Sequence, residues 1–168
     1  MIMPRMAPHP SGRPREEPAS PGSPHRLTVR VYYEDTDFSG VVYHASYLRF
    51  LERGRTEFLR ALGIGHREIF TTRGADAFHF VVRAMTIEFL KPALMDDELC
   101  VETHPSATGG ASIDMIQKIR RGSEVLLTAK VRIAVVAGGK ARRIPAEVLV
   151  KLKALAVAGP QAYSSLKT

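Results

Sequence analysis

Cysteine is almost missing: Cys100 is the single one in 168 residues. It has no partner for an internal disulfide, and one thiol makes neither a zinc quartet nor a redox pair. That usage fits a reducing cytoplasm. Long apolar runs are missing too, because Arg, Lys, Glu or Asp interrupts the chain every few positions. No stretch approaches the roughly 20 residues of a membrane span. The start, Met-Ile-Met-Pro-Arg, lacks the apolar segment of a secretory signal, so translocation is not expected. Several catalytic signatures are also absent: no His-Glu-x-x-His, no phosphate-binding loop with Gly-Lys-Ser/Thr, and no Gly-x-Ser-x-Gly elbow. Gly63-Ile-Gly65 lacks the rest of a dinucleotide fingerprint, and Ser164-Ser-Leu-Lys167 lies in a patternless tail; both read as chance matches.

What is present is ordinary globular material, 45% apolar and 24% charged, enough for one domain with a real core. Proline is concentrated, with seven of its eleven occurrences in residues 1–25 beside Ser, Gly and Arg. That stretch has no apolar periodicity and reads as a disordered leader. The folded domain is expected over 26–157, followed by a flexible tail at 158–168. The net charge of +7 is uneven: residues 1–25 carry +1, 26–103 carry −2, and 104–168 carry +8.

Arg-Leu-Thr-Val-Arg-Val-Tyr-Tyr, from Arg26, alternates with the period of a strand and predicts Leu27, Val29, Val31 and Tyr33 on one face. After a polar turn, Tyr47, Leu48, Leu51, Gly54, Phe58 and Leu62 recur every three or four positions, an amphipathic helix of about five turns. Gly63 suits a left-handed cap. Gly54 in the buried stripe costs about 1 kcal/mol against Ala, which close approach to a sheet would offset. A short helical piece at 66–72 leads to strands at 78–91, 98–104, 113–120 and 124–135, then a closing helix at 146–156. Matching the inward faces of the last two strands predicts a three-residue loop, Arg121-Gly122-Ser123. That register pairs Arg120 with Glu124 and Asp114 with Lys130, and leaves Lys118 and Arg132 unpaired. The order strand, long helix, four strands predicts an α+β domain with one helix on an antiparallel sheet. The other face is solvated or packed on a second copy.

The densest chemistry is Tyr33-Glu-Asp-Thr-Asp37-Phe-Ser-Gly40-Val-Val-Tyr43-His44-Ala-Ser-Tyr, between the first strand and the long helix. A helix start offers unpaired N–H groups and partial positive charge, which stabilise a developing oxyanion. Gly40 lets the backbone turn sharply. Spacing alone leaves two readings open. Asp37, His44 and Tyr33 are either a catalytic group or a turn residue, a helix cap and a core aromatic. Glu34 and Asp35 read as solvated turn residues. His66, His79 and His104 are isolated and read as packing or surface residues, and Cys100 as inert.

This segment resembles the signature of hotdog-fold acyl-CoA thioesterases, the Tol-Pal-associated (YbgC-like) branch of the 4-hydroxybenzoyl-CoA thioesterase superfamily. Val29-Arg-Val-Tyr-Tyr-Glu-Asp-Thr-Asp-Phe-Ser-Gly-Val-Val-Tyr-His-Ala-Ser-Tyr47 follows that pattern nearly throughout. So do Phe50-Leu-Glu-Arg-Gly-Arg-Thr-Glu57, Phe80-Val-Val-Arg-Ala-Met-Thr-Ile-Glu-Phe89 and Lys91-Pro-Ala-Leu-Met-Asp-Asp97. The likeness covers roughly residues 26–152. Phe38-Ser39 departs from it, since a small residue commonly follows the Asp. The resemblance implies a hotdog fold, a sheet of about five strands wrapped around one long helix, and metal- and cofactor-free hydrolysis of acyl-CoA. It places the catalytic carboxylate on Asp37, as nucleophile or general base, with Tyr33 and His44 holding Asp37 or a water. Backbone N–H groups of Tyr43 and His44 would polarise the thioester carbonyl. It further implies a homodimer or homotetramer whose sites use both subunits.

Lys118, Arg120, Lys130 and Arg132 form a basic outer sheet face, ordinarily only solvated. As a cluster they suit the phosphates of CoA or an acidic acyl carrier protein; an envelope partner of the Tol-Pal kind is a further expectation. Nucleic acid is not expected, because no helix-turn-helix or stacking-aromatic motif accompanies the charge. Two rival functions remain: a hydroxyacyl-thioester dehydratase, and a non-catalytic binding module for acyl carrier protein or an envelope partner.

Overall fold

The computed structural model describes residues 16–20, 22–64 and 78–156. The expected helical piece at 66–72, His66 and the tail at 158–168 lie outside these residues. The elements are β1 (Glu16–Glu17), β2 (His25–Arg30), a 3₁₀ turn (Tyr33–Asp35), α1 (His44–Ala61), β3 (His79–Phe89), β4 (Glu98–Thr108), β5 (Ser112–Arg121), β6 (Glu124–Ala137), β7 (Lys140–Ala141) and α2 (Ala146–Ala156). β1 falls inside the stretch read as a leader and pairs with β2, Glu16 opposite Leu27.

All strands join one antiparallel sheet in the order β1-β2-β4-β5-β6-β3, with β7 against β6. This is the α+β architecture expected. β3 follows α1 in the chain yet pairs with β6, so it closes one edge of the sheet. The helix α1 lies on this sheet and buries Phe50, Leu51 and Phe58 completely, with Leu99, Val101, Ile113 and Ile119 from the strands. Each such side chain contributes about 1.5–3 kcal/mol by leaving water. Gly54 is where helix and sheet come closest: a Cβ there would stand 2.6 Å from Val101 Cγ1. Beside it, Arg55 donates to Gln117 Oε1 at 2.9 Å, and Gln117 Nε2 donates to the Leu51 carbonyl and Thr103 Oγ1. Gly63 ends the helix at φ +72°, and Lys151 of α2 donates to the Leu62 carbonyl there.

Three sequence expectations need correction. The β5–β6 hairpin closes with two residues, not three: Arg121 faces Glu124 across Gly122 and Ser123, with Gly122 at φ +57° as such a turn requires. Arg120 then faces Val125, and a bulge at Leu126 restores the inward phase, so Ile119 faces Leu127 and Asp114 faces Arg132. Leu126 is buried and its carbonyl accepts the N–H groups of Leu90 and Lys91. Second, β2 ends at Arg30 and Tyr33 enters the 3₁₀ turn, 82% exposed instead of facing the core. Third, Asp35 is not solvated; only 2% of it is exposed. β4 also runs past Pro105 to Thr108, through a bulge at Ser106 of the kind that tolerates proline.

Candidate active site

The segment between β2 and α1 is fixed at both ends by backbone hydrogen bonds. Val31 N–H donates to the Asp97 carbonyl at 2.9 Å, and Val42 N–H to the Ala93 carbonyl at 2.9 Å. Between them Asp35 acts as a staple. Its carboxylate accepts the Tyr32 N–H at 3.0 Å, its carbonyl accepts the Tyr43 N–H at 2.9 Å, and Arg49 reaches within 3.9 Å of it. The turn 37–41 closes with Asp37 N–H on the Val41 carbonyl and Gly40 N–H on the Asp37 carbonyl, both 3.0 Å. Gly40 sits at φ +79°, a conformation that a side chain disfavours.

Behind this loop, the turn after β3 is braced by the helix. Tyr47 is buried, its hydroxyl accepts the Ala93 N–H at 2.8 Å, and its ring meets Phe89 edge-on. Burial pushes that phenol up. Asp97 accepts both the Leu94 N–H and an Arg121 guanidinium N–H, and Glu124 links Arg121 to Lys91. The ion chain therefore ties the 91–97 turn to the β5–β6 hairpin.

Asp37 is exposed. Its Oδ1 accepts the backbone N–H of Ser39 at 2.8 Å and also the Ser39 hydroxyl. Those bonds, the hydroxyl first, hold the carboxyl below its usual range. It is thus an ionised carboxylate at neutral pH, competent as a base or nucleophile. Seven positions on, α1 begins at His44 with Tyr43 as a cap that supplies no side-chain bond. His44 and Tyr43 are exposed, their rings 4.3 Å apart.

The structure does not join all the expected residues. Neither Tyr33 nor His44 hydrogen-bonds to Asp37, whose carboxylate contacts Ser39 instead. The Tyr43 N–H is taken by the Asp35 carbonyl, which corrects the expectation that it polarises substrate; the His44 N–H remains at the helix start. The basic face is also less open than expected. Arg132 is paired bidentately with Asp114, and Arg120 donates to the Ser123 carbonyl at 2.7 Å. Lys130 and Arg132, not Lys118 or Arg120, line an outer-face cavity of about 340 Å³ with Thr86, Ser106, Asp114 and Ile116. The sequence reading passed over Ser39 and the staple role of Asp35. The Asp-x-Ser spacing was the available signal for the first, since an Asp side chain commonly bonds the backbone two residues on. Burial raises the Cys100 thiol, in keeping with an inert residue. Among the described residues no group of three His, Cys, Asp or Glu side chains is placed to hold a metal, and no helix is long and apolar enough to cross a membrane.

Comparison with known proteins gives this geometry its context. Residues 31–152 match the model of the thioesterase-like superfamily. The acyl-CoA thioesterase YbgC of Haemophilus influenzae is 43% identical over 122 residues, 71% of this chain and 88% of that one. The acyl-CoA thioester hydrolase YbgC of Escherichia coli is 41% identical over 131 residues, covering 76% and 95%. The crystal structure of a probable thioesterase from Bartonella henselae superposes with a TM-score of 0.70 at 47% identity, over 73% of this chain and 100% of that one. The chain belongs to the thioesterase-like hotdog superfamily, in its YbgC branch.

Proposed function

We propose that this protein hydrolyses acyl-CoA thioesters to the free acid and CoA, with Asp37 as the reacting carboxylate. The observation that carries the reading is an ionised carboxylate on a turn that leads within seven residues to a helix N-terminus with no side-chain cap. The thioester carbonyl oxygen would accept the His44 N–H, where the helix dipole favours the developing negative charge. Asp37 takes a proton from a water whose oxygen adds to the carbonyl carbon. The tetrahedral intermediate then collapses by breaking the C–S bond, and the proton held on Asp37 passes to the departing thiolate through the His44 ring, which takes it at one nitrogen as it gives one from the other. In the alternative route Asp37 adds directly to the carbonyl carbon and expels the CoA thiolate as the C–S bond breaks, and water then cleaves the resulting anhydride to the free acid and the Asp37 carboxylate. Tyr33, turned outward, is assigned to the wall of the site.

That wall is incomplete in one chain, which favours a homodimer. Tyr33, Phe38, Tyr43, Phe89 and Leu90 are exposed, and among the described residues β3 is paired only on its β6 side, with Val81 and Val82 exposed. Two copies joining at β3 would cover this apolar surface and extend the sheet. The domain would be 26–157. Lys130 and Arg132 are the cations we assign to CoA phosphates, with Lys118 and Arg120 beyond them. Free Cys100 suits a reducing compartment such as the cytoplasm.

Thiol release from a panel of acyl-CoAs, repeated with Asp37→Ala, tests the reading. The parent should release CoA and the variant should lose about 10²–10⁴-fold in rate. An enoyl-CoA product in place of free thiol would make the protein a dehydratase, and binding without turnover would make it a recognition module.

A further inference from the structure

We propose that Ser39 is a positioning residue for Asp37: its hydroxyl and backbone N–H both occupy Oδ1, which leaves Oδ2 as the reacting oxygen. The inference rests on Asp37 being the reacting carboxylate. Two donors on one oxygen fix the carboxylate plane on an exposed loop, where a side chain otherwise samples several rotamers. No hydrogen bond to Oδ2 is made among the described residues, so its lone pairs face solvent or substrate.

Bonds to an anion favour the anion, so the hydroxyl keeps Asp37 charged into more acidic solution than the backbone bond alone would. Other charges do not compete for this role. On the 3₁₀ turn, Asp35 is buried against the Tyr32 N–H, while Glu34 and Tyr33 are exposed. On the 94–97 turn that bridges to Val41, Asp96 pairs with Arg30 and Asp97 with Arg121. His44 and Tyr43 at the helix start contact each other. The influences on Asp37 are the two Ser39 bonds, opposed by slight desolvation.

The test is the pH profile of kcat/KM for thioester hydrolysis in the full-length protein with Ser39→Ala, Ser39→Thr and Asp37→Asn. In Ser39→Ala the acid limb should move to higher pH, toward an ordinary carboxylate, with the largest loss of rate on that limb. Ser39→Thr, which keeps the hydroxyl, should retain the parental limb. An NMR titration of the Asp37 carboxyl in parent and Ser39→Ala reads the same shift without turnover. If Asp37→Asn is inactive but the Ser39→Ala limb and titration match the parent, the positioning role is overturned. A uniform loss at all pH values, with no movement of the limb, would overturn it equally by showing a merely structural part. Full activity in Asp37→Asn would instead remove the reading of Asp37, and this inference with it.

Discussion

Arg132 and Asp114 face each other across β5 and β6, Nε to Oδ1 at 2.7 Å and Nη2 to Oδ2 at 2.8 Å. The guanidinium holds the Asp114 carboxyl below its usual range. The fork geometry commits Arg132 to its neighbour, so it is a weaker receptor for phosphate than its charge suggests. Lys130, on the same face and lining the same cavity, makes no ion pair among the described residues. If that face receives CoA phosphates, Lys130→Ala should raise KM for acyl-CoA about three- to ten-fold at low salt, more than Arg132→Ala, with the difference shrinking at high ionic strength. KM values measured at two ionic strengths decide it; an unchanged KM in Lys130→Ala removes the cavity from the substrate path.

That ion pair also shows where the sequence was readable and where it was not. In β5 the two-residue period is legible in the sequence: Ile113, Met115, Gln117 and Ile119 alternate with polar or half-buried neighbours and are all buried. The period of α1 located Gly54 against the sheet. The phase of β6 near its turn was not legible, because Val125, Leu126 and Leu127 are all apolar and any of them suits the core. Only the backbone decides that Leu126 is the bulge. Tyr33 continues the β2 alternation in sequence, but β2 ends three residues earlier, at Arg30, and the turn that follows brings Asp35 to Tyr32 and Tyr43. The density of titratable groups marks the segment around Asp37, and only the resemblance singles out Asp37 within it. Its bond to Ser39 has only the Asp-x-Ser spacing as a signal, because an exposed loop leaves no periodic trace.

Gly54 should be intolerant of even a methyl group. Alanine raises helix propensity by about 1 kcal/mol, yet its Cβ would meet Val101 Cγ1 at 2.6 Å and Thr103 Oγ1 at 3.0 Å. Thr103 also accepts from Gln117, so moving it disturbs a buried polar network. Gly54→Ala is expected to destabilise by about 1–3 kcal/mol. The loss should be smaller when Val101→Ala is already present. Denaturant unfolding of the two singles and the double measures this, and a raised midpoint in Gly54→Ala would contradict the close approach.

Asp35 braces the loop between β2 and α1 through its bonds to Tyr32 and Tyr43. Asp35→Ala leaves the Tyr32 N–H without its acceptor and loosens the turn whose carbonyl holds Tyr43 at the helix start. A loss of about 1–3 kcal/mol is expected from the unsatisfied donor. Asp35→Asn retains a carbonyl oxygen for that bond and should recover most of it. Urea midpoints for both variants check the order; equal midpoints would mean that the acceptor at this position is unimportant.

His25 is the buried group most exposed to acid. None of its surface reaches solvent, and both ring nitrogens lack a hydrogen-bond partner among the described residues. The ring packs edge-on against Phe58, centroids 6.2 Å apart, and sits opposite Thr103 in the β2–β4 register. Burial lowers its pKa, with only Glu57 pulling the other way, and burial lowers that of His104 on β4 as well. A base whose folded pKa lies below its unfolded value binds more protons when unfolded. The stability tied to its neutral form is therefore complete above about pH 6.5 and falls as pH drops from there toward the folded value. Between pH 7 and 5 the urea midpoint of the parent should decline. His25→Phe, which fills the site without a titrating group, should flatten part of that decline, and the remainder should shrink when His104→Phe is added. Midpoints that fall in parallel for parent and His25→Phe would show that the ring is charged in the fold, against the desolvation its burial implies.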